Sequence, residues 1–130
     1  MANSMVSLSV PAVASYARSV RMLAANLAVL CGMNVDEVED ARMAAEEAFV
    51  YACATEPVTC DISFEVSEQE LLMSFSLGDQ DPEDDDAEDG QGEPLGFALL
   101  LLEAVSDSCE VSADGTSLLV SKLVGGTYAE

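Results

Sequence analysis

Histidine is missing altogether from the 130 residues, and only four basic side chains, Arg18, Arg21, Arg42 and Lys122, stand against 25 acidic ones. Without an imidazole there is no His-based acid–base catalysis, no Cys–His nucleophile pair and no ordinary zinc site. The cysteines Cys31, Cys53, Cys60 and Cys109 form no CxxC pair. Each sits in an apolar context, which predicts buried free thiols in a reducing cytoplasm. The shortage of cations leaves a formal net charge of −21. Phosphates would be repelled, so nucleic acid and anionic membranes are argued against as direct partners. Long hydrophobic runs are missing too. The longest, Leu95 to Leu102, is far too short to span a bilayer, and no signal peptide opens the chain, so the expected location is cytoplasmic.

What is present is a composition that folds. Half the residues are apolar, and the length suits a single domain, 1–130, with a real core. Met5 to Val10 alternates as a strand, with Val6, Leu8 and Val10 on one face. Pro11 is expected in the first turn of a helix that runs to about Cys31 and stops at Gly32. Its apolar stripe would be Val13, Tyr16, Ala17, Val20, Leu23, Ala24, Leu27 and Leu30. Asn34 or Asp36 caps a second helix, whose positive end suits Glu37 and Glu39, and which ends before Pro57. Val58 to Val66 and Leu71 to Leu77 read as a hairpin around Ser67-Glu68-Gln69. Leu95 to Val105 reads as a buried helix. Cys109 to Val111 and Thr116 to Leu123 read as strands joined by an Asp114-Gly115 turn, followed by a frayed tail of six residues.

Between the hairpin and the apolar helix the character changes. Nine of the fifteen residues from Asp79 to Glu93 are acidic and none is basic, which predicts a solvated loop. No window within it has both the glycine and the glutamate of an EF-hand. The predicted fold is therefore an α+β two-layer sandwich, with a mainly antiparallel mixed sheet and three helices on one face. Val13, Leu23, Leu27, Phe64, Leu99 and Leu102 are its expected core residues.

The stretch Asp40 to Ala54, DARMAAEEAFVYACA, organises the rest. Ala41, Ala45, Ala48 and Ala52 form a narrow apolar face, and Glu47 and Tyr51, four apart, project from a common side. Together with VPAVASYARSVRMLAANLAVLCGM and PLGFALLLLEAVSDSCEVSADGTSLLVSKLV, in that order, this stretch resembles the bacterial anti-sigma-factor serine kinases, which share the histidine-kinase-type (GHKL) ATPase fold. The resemblance covers nearly the whole chain. It implies a general-base role for Glu47, an adenine contact for Asp79 and a phosphate-loop position for Gly96, with Asp79 to Glu93 as an acidic lid. It also places Tyr51 where the family carries a magnesium-binding Asn, Asp81 where it has a Gly, and Pro94 where it has the first Gly of a GxG turn. A phenol is a poor magnesium ligand, and Pro removes an N–H that could bind phosphate.

Two readings follow from the resemblance. In the first, an anti-sigma-like regulatory protein with an eroded ATP site, no cofactor and no metal binds a sigma factor or an anti-anti-sigma protein through a basic surface on that partner. In the second, it is an active serine kinase that uses Mg-ATP. The pattern leaves a homodimer open.

Overall fold

Strand β2 (Thr59–Val66) shows how alternation becomes a layer. Cys60, Ile62, Phe64 and Val66 are buried, whereas Asp61, Ser63 and Glu65 are not. The same holds along β3 (Glu70–Ser76), where Leu71, Met73 and Phe75 point inward. A sheet covered on one face only must read this way. The computed structural model describes residues 4–79 and 95–125, apart from the side chains of 95–99. Its other elements are β1 (Ser4–Pro11), a 3₁₀ turn (Ala14–Tyr16), α1 (Ala17–Cys31), α2 (Val35–Ala54), α3 (Leu95–Val105), β4 (Ser108–Val111) and β5 (Ser117–Leu123).

The strands form one sheet in the order β1-β2-β3-β5-β4, and every pairing is antiparallel. Helix α1 packs on β2 and β3, α2 on β2, β3 and β5, and α3 on β4, while α2 lies against both other helices. The expected sandwich of one sheet and three helices is what forms.

Helix α2 is the centre of the helical layer because of its alanines. Ala41, Ala44, Ala45, Ala48 and Ala52 are fully buried, and Phe49 fills the space beside them. Burying a Phe ring contributes about 1.5–3 kcal/mol, and the small neighbours let the helix come close enough to the sheet to gain it. Asn34 caps this helix in a capping box. Its side chain accepts from Glu37 N at 2.8 Å, and Asn34 N donates back to Glu37 Oε1 at 2.9 Å. Gly32, at φ 95°, closes α1 in the left-handed conformation its lack of a Cβ permits.

Several expectations need correction. The apolar helix Leu95–Val105 is not buried as a whole, since Leu100 is exposed and, among its described side chains, only Leu102 is buried. Pro11 ends β1 opposite Thr59 rather than opening a helix, since a sheet-edge position tolerates its missing N–H. Val13 is extended and 51% exposed, not core. Tyr16 and Leu30 are exposed as well. The buried face of α1 is Val20, Ala24, Leu27, Ala28 and Cys31, and at 100° per residue Leu30 turns well away from it. Finally Gly125, expected in the frayed tail, donates to Glu37 Oε2 at 2.5 Å. Leu27, Phe64 and Leu102 are buried, and Leu23 is half-buried against them. The side chain of Leu99 and residues 126–130 lie outside the described residues.

Candidate functional site

The C-terminal half of α2 carries Glu47 and, one turn on, Tyr51. Both are half-buried, and Tyr51 packs against the hydrophobic core. They project from the same side of the helix, as their spacing predicts.

A tight crossing of two backbone segments places Asp79 near this end of the helix. The hydroxyl of Thr55, at the end of α2, donates to Ala52 O at 2.6 Å and accepts from Gly78 N at 2.7 Å. At Gly78 there is no room for a side chain. A Cβ there would lie 2.2 Å from Thr55 O and 2.5 Å from Pro57 N. The end of β3 is thus stitched to the turn after α2, where Glu56 takes a positive φ of 61°. Asp79 follows at once, exposed.

The structure therefore brings Asp79 beside the C-terminal end of α2, the half of that helix that carries Glu47 and Tyr51. Gly96 lies in the first turn of α3, which packs on α2. Asp81, Pro94 and residues 80–93 of the acidic stretch lie outside the described residues. Thr55 and Gly78 were not among the residues singled out from the sequence. The signal was a glycine immediately before Asp79, at a strand end where only close backbone approach demands one.

Electrostatics around α2 are set by ion pairs. Arg21 Nη1 lies 3.2 Å from Glu46 Oε1, Lys122 Nζ lies 3.3 Å from Asp40 Oδ2, and Arg42 pairs with Glu39. Three of the four cations are thus engaged by carboxylates of this one helix. The cysteines offer no nucleophile. Burial pushes the Cys53 and Cys60 thiols up to about 11, and raises Cys31 and Cys109 as well, so thiolate is scarce at neutral pH.

Residues 10–122 match the histidine kinase-like ATPase domain family. The chain belongs to that family. No curated protein matches it as a relative. Glu47 can accept a proton, and Tyr51 can donate a hydrogen bond. No helix among the described residues is long and apolar enough to cross a membrane.

Proposed function

We propose that this histidine kinase-like ATPase domain works by holding a protein partner rather than by turning over a nucleotide. It is an anti-sigma-like regulatory module whose partner is a sigma factor or an anti-anti-sigma protein. The observation that carries this reading is the place of Tyr51. It stands one turn after Glu47, where the resemblance implies a magnesium-binding Asn, and it is half-buried against the core. Hard divalent cations want carboxylate or amide oxygens, so a neutral phenol in the place of that Asn makes a poor setting for Mg-ATP. The charge balance supports the same view. At an effective dielectric of about 40, two unit charges roughly 8 Å apart repel by about 1 kcal/mol. A triphosphate near Asp79 to Glu93 would therefore meet several such terms, with three of the four cations already paired on α2.

The same acidity suits a partner with a basic surface, such as a protein that itself contacts DNA. The test has two arms. Thermal unfolding with millimolar Mg-ATP should leave the midpoint unchanged, since a ligand at a hundred times its Kd adds about 2.7 kcal/mol. Calorimetry against a bacterial sigma factor or anti-anti-sigma protein should show saturable binding. Replacing Glu83, Asp84, Asp85 and Asp86 with Ser or Asn should slow association and flatten its salt dependence, with little change in dissociation. Micromolar Mg-ATP binding, together with phosphotransfer abolished by Glu47→Ala, would overturn the proposal in favour of an active serine kinase.

A further inference from the structure

The helices pack on one face of the sheet, and among the described residues no element packs on the other. That bare face carries charge of one sign only. Strand alternation and the pairing register put Asp61, Glu65, Glu70 and Glu110 on it. No described cation joins them. Arg18, Arg21 and Arg42 belong to the helices, while Lys122 stands opposite Leu71 on the covered side, buried beside Asp40.

Two rows of short side chains cross this face. In one, Ser9, Asp61, Ser76 and Ser117 stand side by side on β1, β2, β3 and β5. In the next, Ser7 faces Ser63 and Ser63 faces Ser74. Together they line a shallow trough of about 530 Å³. Four strands about 4.8 Å apart make it roughly 14 Å long, and two residues along a strand make it about 7 Å wide. Asp61 is its one carboxylate, and its position is fixed. Ser9 Oγ donates to Asp61 Oδ1 at 2.7 Å, and Asp61 N donates to Ser76 Oγ at 2.8 Å. The hydroxyls of Ser7, Ser63 and Ser74 have no hydrogen-bond partner among the described residues.

We propose that this trough is a docking site for an arginine side chain on the surface of a protein partner. The ligand must be cationic, because carboxylates rim the face and one stands in the trough. A guanidinium brings five donors and a weakly hydrated charge, and the trough offers one held carboxylate with hydroxyl acceptors around it. A lysine ammonium has fewer donors and keeps its water more tightly. Shallowness decides between a protein and a small molecule. Sites for small ligands bury most of the ligand's surface, which a shallow trough on a sheet cannot do. A protein surface closes over it and excludes the water that would weaken the ion pair. The trough lies on the face away from the helix that carries Glu47 and Tyr51, so the proposal needs neither a nucleotide nor a sigma factor.

The probe is a capped pentapeptide of alternating glycine and arginine, titrated into the full chain at about 150 mM salt, where the Debye length is about 8 Å. Amide NMR shifts should move saturably at Ser63, Ser74 and Ser76. Asp61→Asn keeps an acceptor for Ser9 and removes one of the 25 acids. It should weaken binding about tenfold or more, whereas a diffuse attraction to net charge would barely register the loss. Ser74→Tyr, which fills the trough, should block the peptide while the chain melts like wild type. Neutralising Glu83, Asp84, Asp85 and Asp86 should leave peptide binding nearly unchanged, so this proposal and the one above fail separately. The lysine version of the peptide should bind more weakly. Shifts confined to the acidic stretch would overturn the proposal. So would an Asp61→Asn chain that binds like the wild type, or free agmatine that binds as tightly as the peptide, which would make the trough a small-molecule site.

Discussion

The carboxylate of Glu37 binds two backbone amides that are far apart in the chain. Its Oε1 accepts from Asn34 N and its Oε2 from Gly125 N, which follows β5 at a separation of 88 residues. One side chain, only 4% exposed, caps α2 and fastens the end of the sheet to it.

Replacing that carboxylate should therefore cost more than losing an ordinary cap. Glu37→Ala is expected to destabilise the domain by about 2–3 kcal/mol, since two amides lose a charged acceptor. Asn34→Ala, which removes only the cap, should cost about 1 kcal/mol. Urea unfolding of both variants reads the difference, and equal losses would show that the Gly125 contact contributes nothing.

The Lys122–Asp40 pair is asymmetric. The lysine side chain is 6% exposed and the aspartate 41%. Asp40→Ala leaves a buried ammonium without its partner and should cost about 1–2 kcal/mol, discounted for the open side of the pair. Lys122→Met, which removes the charge and keeps the volume, should be near neutral. If Lys122→Met proves the more damaging in chemical denaturation, the ion pair itself is what stabilises this corner.

At Gly78 the neighbour in the way is backbone and cannot swing aside. Gly78→Ala should cost about 2–3 kcal/mol through forced displacement. Thr55→Val, which leaves the Gly78 amide without its acceptor, should cost about 1–3 kcal/mol. Because both changes break the same crossing, the double variant should lose less than the sum, and a double-mutant cycle measures the shortfall.

The thiols should be slow to react. At pH 8 Ellman's reagent should label the folded chain far more slowly than the chain in denaturant, with the fully buried Cys60 slowest. The folded values of Cys53 and Cys60 lie above the ordinary 9.0, near 11. The stability that they contribute is complete below about pH 9 and is lost as pH rises through about 11. Serine at both positions should remove that part of the alkaline loss, and an unchanged alkaline profile would count against it.

Much of this architecture was legible because its signals are local. Alternation in β2 and β3, the alanine face of α2, and the Asp114-Gly115 turn, where Asp114 accepts from Ser112 and Thr116, all depend on neighbours in sequence. The misreadings at Pro11 and Val13 came from a conflict between two local rules. Pro suits a helix start and a strand edge equally, and only pairing with Thr59, far along the chain, decides between them. Leu30 was misread because a wide apolar stripe does not say where its centre lies. At the candidate site, the Glu47/Tyr51 relationship follows from helical period alone. The Thr55–Gly78 crossing joins residues 23 apart through a contact that has no period, so spacing could not reveal it.

The face of the sheet that no helix among the described residues covers has its own consequence. Ser7, Ser9, Ser63, Ser74, Ser76 and Ser117 line a shallow trough across it, with Asp61 as the one carboxylate. Hydroxyls there keep the surface wet without adding charge. Changing Ser63 or Ser74 to valine would suit the strand and leave the core untouched, yet it would begin a greasy patch. Variants on this face should look harmless in a melting experiment and harmful in a yield of soluble protein. At these positions, selection for solubility and selection for folding pull in different directions.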